Sequence, residues 1–265
     1  MSDNIYEKKP NDGPSVTIFP EDIEESKKFL REVYEYEVKK PNSKATQAVA
    51  ELYIEHSERV GEIAKIIALT EKLDAPKLEL AGILHDCGKL HSLMPGGIDE
   101  ISHGARGQRK SYDFMVERLG KNPHLAHEVA FMVARHIYTP ENLKAHPNYS
   151  GIEAPESVEE WALRDANMLD YIDFWGMRHV VLIIHEAKAP LSMYGGSDRT
   201  NSLRHAVKRR VEFISAIRGK TAKKVAVAMK ARSDRFITFI KDKSIKNIEV
   251  FNGFFDEFLT SELKK

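Results

Sequence analysis

Apolar residues recur every three or four positions along most of the chain, which is the spacing of helices that bury one face. This pattern, with capping residues and prolines at its breaks, predicts helices over residues 21–40, 44–73, 76–84, 105–119, 125–137 and 157–174. Two or three further helices are predicted between Asn201 and the C-terminus, with interruptions near Gly219 and at residues 243–247. Alternating patterns typical of strands are few and no internal repeat is present, so the chain is predicted to be all-α.

Proline and glycine mark the places where the predicted helices are joined. Residues 140–155 are rich in both and predict a long loop, of a kind that often covers a site. We predict an N-terminal segment and helix over residues 1–43, a domain over 44–188, and a helical extension over 189–265 packed on that domain. The proline- and glycine-containing run at 189–200, on which this boundary depends, would also suit a loop inside one unit.

The charge of the chain is balanced overall but not locally. Forty basic and forty acidic side chains give a formal net charge of zero, which predicts neither a nucleic-acid binder nor a membrane-surface protein. Residues 203–247, however, hold fourteen Lys and Arg against three acidic residues. A solvated helix face is the ordinary explanation and is favoured here, and a surface for a nucleic acid or an acidic partner is the alternative.

The remaining composition indicates a globular protein of a reducing compartment. The sequence has 42% apolar and 30% charged residues, with no apolar N-terminal segment and no run of 18 apolar residues, so we expect no membrane span and a cytoplasmic location. Its single cysteine, Cys87, excludes an intramolecular disulfide and a cysteine-rich zinc site.

Candidate chemistry begins where an apolar helix runs into His85 and Asp86. An imidazole and a carboxylate are costly to bury unless they pair with each other or bind a metal ion, and both explanations suit these two residues. His56 lies on the apolar stripe of an earlier helix, four residues before Val60 and seven before Ile63, and it needs a partner for the same reason. Nitrogen and oxygen ligands without thiolates suit Mn, Fe, Ni or Zn, and Mg is also possible.

A fourth ligand is predicted from the helix that follows Ser157. At 100° per residue, Asp165 falls in the middle of an apolar stripe. That stripe is formed by Val158, Trp161, Met168, Leu169 and Ile172. The alternative is a structural carboxylate paired with Arg164 or Arg178.

Taken in order, these motifs resemble the HD superfamily of metal-dependent phosphohydrolases. The resemblance rests on His56 in HSERVGEIA, on His85-Asp86 in GILHDCGK, and on Asp165 in LRDANMLDYIDFWGMRH, and it covers residues 50–185 or about half of the chain. It implies an all-α HD-domain helical bundle with additional C-terminal helices. It also implies a metal ion held by these four side chains, and the hydrolysis of phosphate esters.

The chain departs from the family pattern at Asn167, where many relatives carry a carboxylate. If that register holds the last ligand, the ion loses a charged donor here and Asn167 would bind it weakly or contact the substrate. Asp165 is favoured on the stripe argument.

Two further histidines, His103 and His136, resemble the additional ligands of binuclear HD enzymes. With them, Asp86 could bridge two ions about 3.5–4 Å apart. Two alternatives stay open: His103 would cap the helix that follows it, and His136 would bind the substrate phosphate directly.

Three more side chains are candidates for contacts with the substrate. Lys89 lies four residues after His85 and is predicted to stabilise developing phosphate charge, although an exposed lysine there would have no role. Arg106 is a second phosphate-binding candidate. Tyr171 is assigned to the substrate from its resemblance to a tyrosine of nucleotide-cleaving relatives.

The sequence therefore predicts a hydrolase that cleaves a nucleotide-like phosphomonoester or phosphodiester with water activated by one or two divalent ions, in which Asp86 and Lys89 are catalytic. A small phosphorylated molecule is the expected partner. One alternative is a di-iron oxygenase on the same scaffold, which would cleave a C–C or C–P bond. Another is a catalytically idle HD domain that serves as a binding module.

Overall fold

In a computed structural model, the described residues are 15–41, 43, 45–89, 102–138, 153–186, 207, 210, 213–240, 243 and 248–263. They form nine α-helices and no β-strand, which confirms the all-α prediction. The helices are α1 (Pro20–Lys39), α2 (Gln47–Glu71), α3 (Ala75–Leu84), α4 (His103–Asp113), α5 (Pro123–Arg135), α6 (Val158–Ile172), α7 (Phe174–Glu186), α8 (Lys220–Ile240) and α9 (Ile248–Leu263). The last residue of α4 leads into a π-helical turn over Phe114–Arg118.

Side-chain caps explain where several helices begin. The Ser157 hydroxyl accepts a hydrogen bond from the backbone N–H of Glu160 at the start of α6, as the sequence predicts. The cap of α2 is Thr46, so this helix begins at Gln47 rather than at the predicted residue 44. The helix predicted over 157–174 is divided, because Asp173 is extended (ψ 161°) and α7 starts at Phe174.

Two glycines allow α2 and α3 to pack unusually closely. A Cβ atom on Gly82 would lie 2.6 Å from the Cα of Gly61, so a side chain at this position would push the two helices apart. His56 lies five residues before Gly61 and His85 three residues after Gly82. The close crossing therefore brings the two histidines together in the core.

The C-terminal helices pack on the rest of the bundle through α6 and α7. Helices α7, α8 and α9 also share a second apolar cluster that is rich in phenylalanine, with Phe174, Phe236, Phe251, Phe255 and Phe258 at its centre. Most of the loop predicted at 140–155 and the boundary predicted at 189–200 lie outside the described residues. Within the described part of the chain, no helix is both long enough and apolar enough to cross a membrane.

Candidate metal centre

The centre is built around the turn of residues 85–89, which follows α3. The Tyr34 hydroxyl of α1 donates a hydrogen bond of 2.8 Å to the backbone carbonyl of Asp86 and fixes the turn from one side. On the other side α4 packs closely, since a Cβ on Gly88 would lie 2.4 Å from the backbone oxygen of His103. Only glycine fits there, and the close approach brings His103 to Asp86.

A first group of converging ligand atoms consists of His56, His85 and Asp86. The Nε2 atoms of the two histidines are 3.3 Å apart. Oδ2 of Asp86 lies 3.6 Å from Nε2 of His85 and 3.9 Å from Nε2 of His56. All three side chains are buried, so any ion that they hold is largely shielded from bulk water.

Hydrogen bonds on the far side of each ring determine which nitrogen carries the proton. Nδ1 of His85 lies 2.7 Å from the backbone carbonyl of Gly82, and Nδ1 of His56 lies 2.7 Å from Oδ2 of Asp170. A carbonyl and a carboxylate only accept, so both Nδ1 atoms donate, and in the neutral form of each ring the lone pair is on Nε2. Burial lowers the pKa of His85 to about 3, so the ring stays neutral. Two lone pairs that face each other at 3.3 Å are stabilised by a cation between them, and the donor set therefore fits a metal ion.

A second group of converging atoms lies on the other side of the same carboxylate and consists of Asp86, His103 and His136. Oδ1 of Asp86 is 3.2 Å from Nε2 of His103 and 3.4 Å from Nε2 of His136, and the two imidazole nitrogens are 3.1 Å apart. Nδ1 of His136 donates to the carbonyl of Val133, so its Nε2 again presents a lone pair. Burial lowers the pKa of His103 to about 4, and Lys89 adds to this effect.

Asp86 thus presents one oxygen to each group. Burial alone would raise the pKa of Asp86, but its electrostatic interactions with His85 and Lys89 and its close contacts with His103 and His136 hold it well below its usual range. The carboxylate is therefore ionised at neutral pH and can bind two ions at once.

Asp170 orients His56 from behind. Besides the bond from His56, its carboxylate accepts bonds of 2.7 Å and 3.1 Å from Nε and Nη2 of Arg59. Burial would raise the pKa of Asp170, but His56 and Arg59 hold it well below its usual value. The sequence favours a structural or ligand-supporting role for Asp170, whereas Arg59 was not predicted as part of the site. The available signal was the spacing of Arg59, three residues after His56 on the same helix face.

The structure does not bring Asp165 to either group. Its carboxylate accepts hydrogen bonds from the backbone N–H groups of Arg218 and Gly219, just before α8, and lies 3.4 Å from Nη1 of Arg164. Asp165 and Asp170 are five residues apart and about 140° apart around α6, so Asp170 faces α2 while Asp165 faces the opposite side. This environment is that of a structural carboxylate paired with Arg164, which was the alternative to a ligand role. Asp165 is therefore not assigned as a metal ligand.

Replacing Asp165 with Ala is therefore expected to lower stability and leave metal content unchanged. The variant leaves two backbone donors and the buried Arg164 guanidinium without this acceptor, a loss of about 1–3 kcal/mol in the free energy of unfolding. Urea denaturation and metal quantification of the same preparation check both parts. Depletion of metal at wild-type stability would instead return Asp165 to the ligand set.

Asn167 and Tyr171 lie on the face of α6 that meets the centre. They stand three residues before and one residue after Asp170, and the Tyr171 ring lies 4.9 Å from the ring of His56. The Oδ1 atom of Asn167 is buried and has no hydrogen-bond partner among the described residues. An amide oxygen in this state is available to an ion or to a substrate.

The two basic candidates flank the centre from the 85–89 turn and from α4. Lys89 ends the 85–89 turn, and its positive charge lowers the pKa of both Asp86 and His103. Nε of Arg106 donates a bond of 3.3 Å to the carbonyl of Gly88. Arg106 also lines a groove of about 960 Å³ between α1 and α4.

The basic segment at 203–247 is described mainly through α8. Three of its cations, Lys230, Arg232 and Arg235, form ion pairs with Asp234, Asp173 and Glu262, which neutralises part of the local excess. Lys223 and Lys224 are exposed. A solvated face stays the favoured prediction for this segment, and binding of nucleic acid stays the alternative.

Comparison with known proteins gives a family match and a set of similar folds. The family model of the HD domain matches residues 53–172, a span that contains both groups of ligand atoms. The crystal structure of Bacillus subtilis YpgQ aligns with a TM-score of 0.56 at 17% identity, covering 84% of this chain and 96% of that chain. The crystal structure of YpgQ in complex with ADP aligns with a TM-score of 0.53 at 18% identity, covering 84% and 95%.

A Lactobacillus plantarum protein aligns with a TM-score of 0.53 at 13% identity, covering 85% of this chain and 97% of its own. At these identities the likeness shows a shared fold alone. No curated protein sequence matches the chain.

Proposed function

We propose, from the match of residues 53–172 to the HD-domain family and from the shared position of Asp86, that the protein is a phosphohydrolase with two adjoining ion sites. The single observation that carries the proposal is the convergence of two imidazole pairs on the two oxygens of one buried carboxylate. An ordinary hydrogen-bonded pair would not need four histidines around one carboxylate. The family match supports the coarser statement that the protein is of the metal-dependent phosphohydrolase type.

We assign the first ion to His56, His85 and Asp86, and the second to Asp86, His103 and His136. Imidazole and carboxylate donors suit Mn, Fe, Ni or Zn better than Mg, which prefers an all-oxygen shell. Cys87 is not assigned as a ligand, because burial raises the pKa of its thiol to about 12 and its Sγ faces the carbonyl of Gly107.

Divalent ions in such a centre lower the pKa of water and withdraw charge from a phosphoryl group. The protein's own contribution is to orient these ions and the substrate. Asp170 and the Gly82 carbonyl hold the first imidazole pair with its lone pairs inward. We assign Lys89 and Arg106 to the non-bridging phosphate oxygens, and Asn167 and Tyr171 to the substrate on the α6 side.

The proposed substrate is a nucleotide-like phosphate ester. Support comes from the YpgQ structure in complex with ADP, whose chain is similar in fold over 95% of its length. Further support comes from Lys89, whose positive charge beside the second group suits a phosphate.

The test is metal quantification on protein purified without chelator, followed by a substrate panel. The panel contains nucleoside mono-, di- and triphosphates, sugar phosphates and a chromogenic phosphodiester, each assayed with Mn, Fe, Ni, Zn and Mg. We expect bound transition metal and hydrolysis of at least one phosphate ester, both lost in His85→Ala. A protein that binds metal and hydrolyses none of these compounds would refute the proposed function.

The second ligand group also favours a second candidate, a di-iron oxygenase that uses the same binuclear scaffold. Four imidazoles and a bridging carboxylate suit paired iron as well as they suit a hydrolytic centre. Oxygen consumption by the iron-loaded protein, together with the absence of phosphatase activity, would decide for this alternative.

A further inference from the structure

His179 on α7 is buried beside the first ligand group but belongs to neither group. Its ring lies 4.9 Å from the ring of His56, 5.3 Å from that of Tyr53 and 6.0 Å from that of Tyr171. Only 3% of the residue is exposed, and neither Nδ1 nor Nε2 has a hydrogen-bond partner among the described residues.

Two unpaired polar atoms on one buried ring need an explanation. A buried donor or acceptor without a partner is destabilising, and a phenylalanine would fill the same space between three aromatic rings without that cost. The contacts of His179 with its neighbours are ring contacts, which an apolar ring would also make. The two nitrogens are therefore available to a molecule that enters the site.

The chemistry of the ring indicates which kind of group it binds. The ring is buried, and no carboxylate among the described residues bonds to either nitrogen, so this environment favours the neutral form, which has one donor and one acceptor. An ionised phosphate oxygen only accepts and would leave the second nitrogen unpaired. A hydroxyl group both donates and accepts, so hydroxyl groups can satisfy both nitrogens.

We infer that His179 binds a hydroxyl group on the alcohol portion of the substrate, next to the first ligand group. This inference rests on the proposed phosphohydrolase function and narrows its substrates to phosphate esters that carry a free hydroxyl near the ester, as sugars and nucleosides do. The position beside His56 and Tyr171 suits the alcohol side of the ester, since Lys89 follows Gly88, which packs against His103 of the second group.

The test compares the best substrate of the panel with analogues that lack each of its hydroxyl groups in turn. We expect kcat/KM of the wild type to fall about tenfold or more for at least one deoxy analogue, the loss caused by a missing hydrogen bond in a buried site. The His179→Phe variant keeps a ring and removes both nitrogens. In this variant the ratio of kcat/KM for the full substrate to kcat/KM for the deoxy analogue should fall to about one. His179→Gln retains one donor and one acceptor and should restore part of the discrimination.

The matched control is His127→Phe, the same substitution at an exposed histidine of α5, which should keep the wild-type ratio. Metal content is measured in every variant, so that a disturbed ion site is not mistaken for lost discrimination. The inference would be overturned, and the proposed function left intact, if the wild type hydrolyses phosphate esters but has the same kcat/KM for every deoxy analogue as for the full substrate. An unchanged ratio in both His179 variants would overturn it as well. A wild type without phosphatase activity would overturn the proposed function and this inference together.

Discussion

Replacement of Asp86 with Asn is expected to remove most of the bound metal and nearly all activity. The carboxylate is the single side chain shared by both ligand groups, and its charge offsets that of the ions. The amide keeps the shape but loses the charge, and its N–H₂ group would donate to imidazole lone pairs that are otherwise turned toward an ion. Loss of a residue that merely supports a ligand costs about 10–100-fold in metal affinity or activity, so loss of this shared ligand should exceed about 100-fold.

The variant should nevertheless remain folded. The bond from Tyr34 is made to the backbone carbonyl of residue 86, and it does not depend on the side chain. Circular dichroism and thermal unfolding check the fold, while metal quantification and kcat/KM check the site. Asp113→Asn, the same substitution at the end of α4 where Asp113 forms an ion pair with Arg109, is the control and should behave as wild type. Full metal content in Asp86→Asn would contradict the shared-ligand assignment.

The helical fold and the main polar cluster could be predicted because both leave local signals. Helix periodicity is set by neighbours three and four positions apart, and caps such as Ser157 are recognisable from residue type. His56 and His85 were identifiable as polar residues at positions where the pattern requires apolar ones. The glycines that allow their helices to meet, Gly61 and Gly82, could be interpreted only once the crossing was known.

The stripe argument selected Asp165 because it assumes a helix with one buried face. Helix α6 is buried on nearly all sides, as the burial of Arg164, Asp165, Asp170 and the apolar residues between them demonstrates. On a helix that is buried on all sides, the centre of the apolar stripe does not indicate which face meets the metal centre. The packing of neighbouring helices determines which carboxylate faces the ions. The departure from the family pattern at Asn167 was visible in the sequence, and that residue shares its face with Asp170.

His179 could not be found from sequence for a different reason. It is 123 positions from His56, and no local spacing connects the two residues. Its place depends on how α7 packs against α2, which is a tertiary contact. Arg59 and Asp170 pose the same problem, because their ion pair joins two helices that are far apart in sequence.

Replacement of His103 or His136 with Ala is expected to remove about one equivalent of metal and leave the other in place. Each ion depends on a few protein ligands, and either variant removes one imidazole from the second group while His56, His85 and the charge of Asp86 remain. His56→Ala should have the converse effect on the first group. The exposed His127 provides the control, since His127→Ala lies on the same helix that leads into His136 and touches neither group.

Activity alone does not distinguish one ion from two, because His136 as a direct phosphate ligand would also be needed for turnover. Metal stoichiometry measured beside activity separates the two roles, and a manganese-loaded wild type adds an independent readout. Two ions that share the Asp86 carboxylate should give an exchange-coupled paramagnetic resonance spectrum, which the His103→Ala variant should convert into that of an isolated ion. Wild-type stoichiometry in both the His103 and His136 variants would leave a single ion on His56, His85 and Asp86. That result would also eliminate the di-iron oxygenase, since its chemistry requires the second ion, whereas a phosphohydrolase with one ion would still stand.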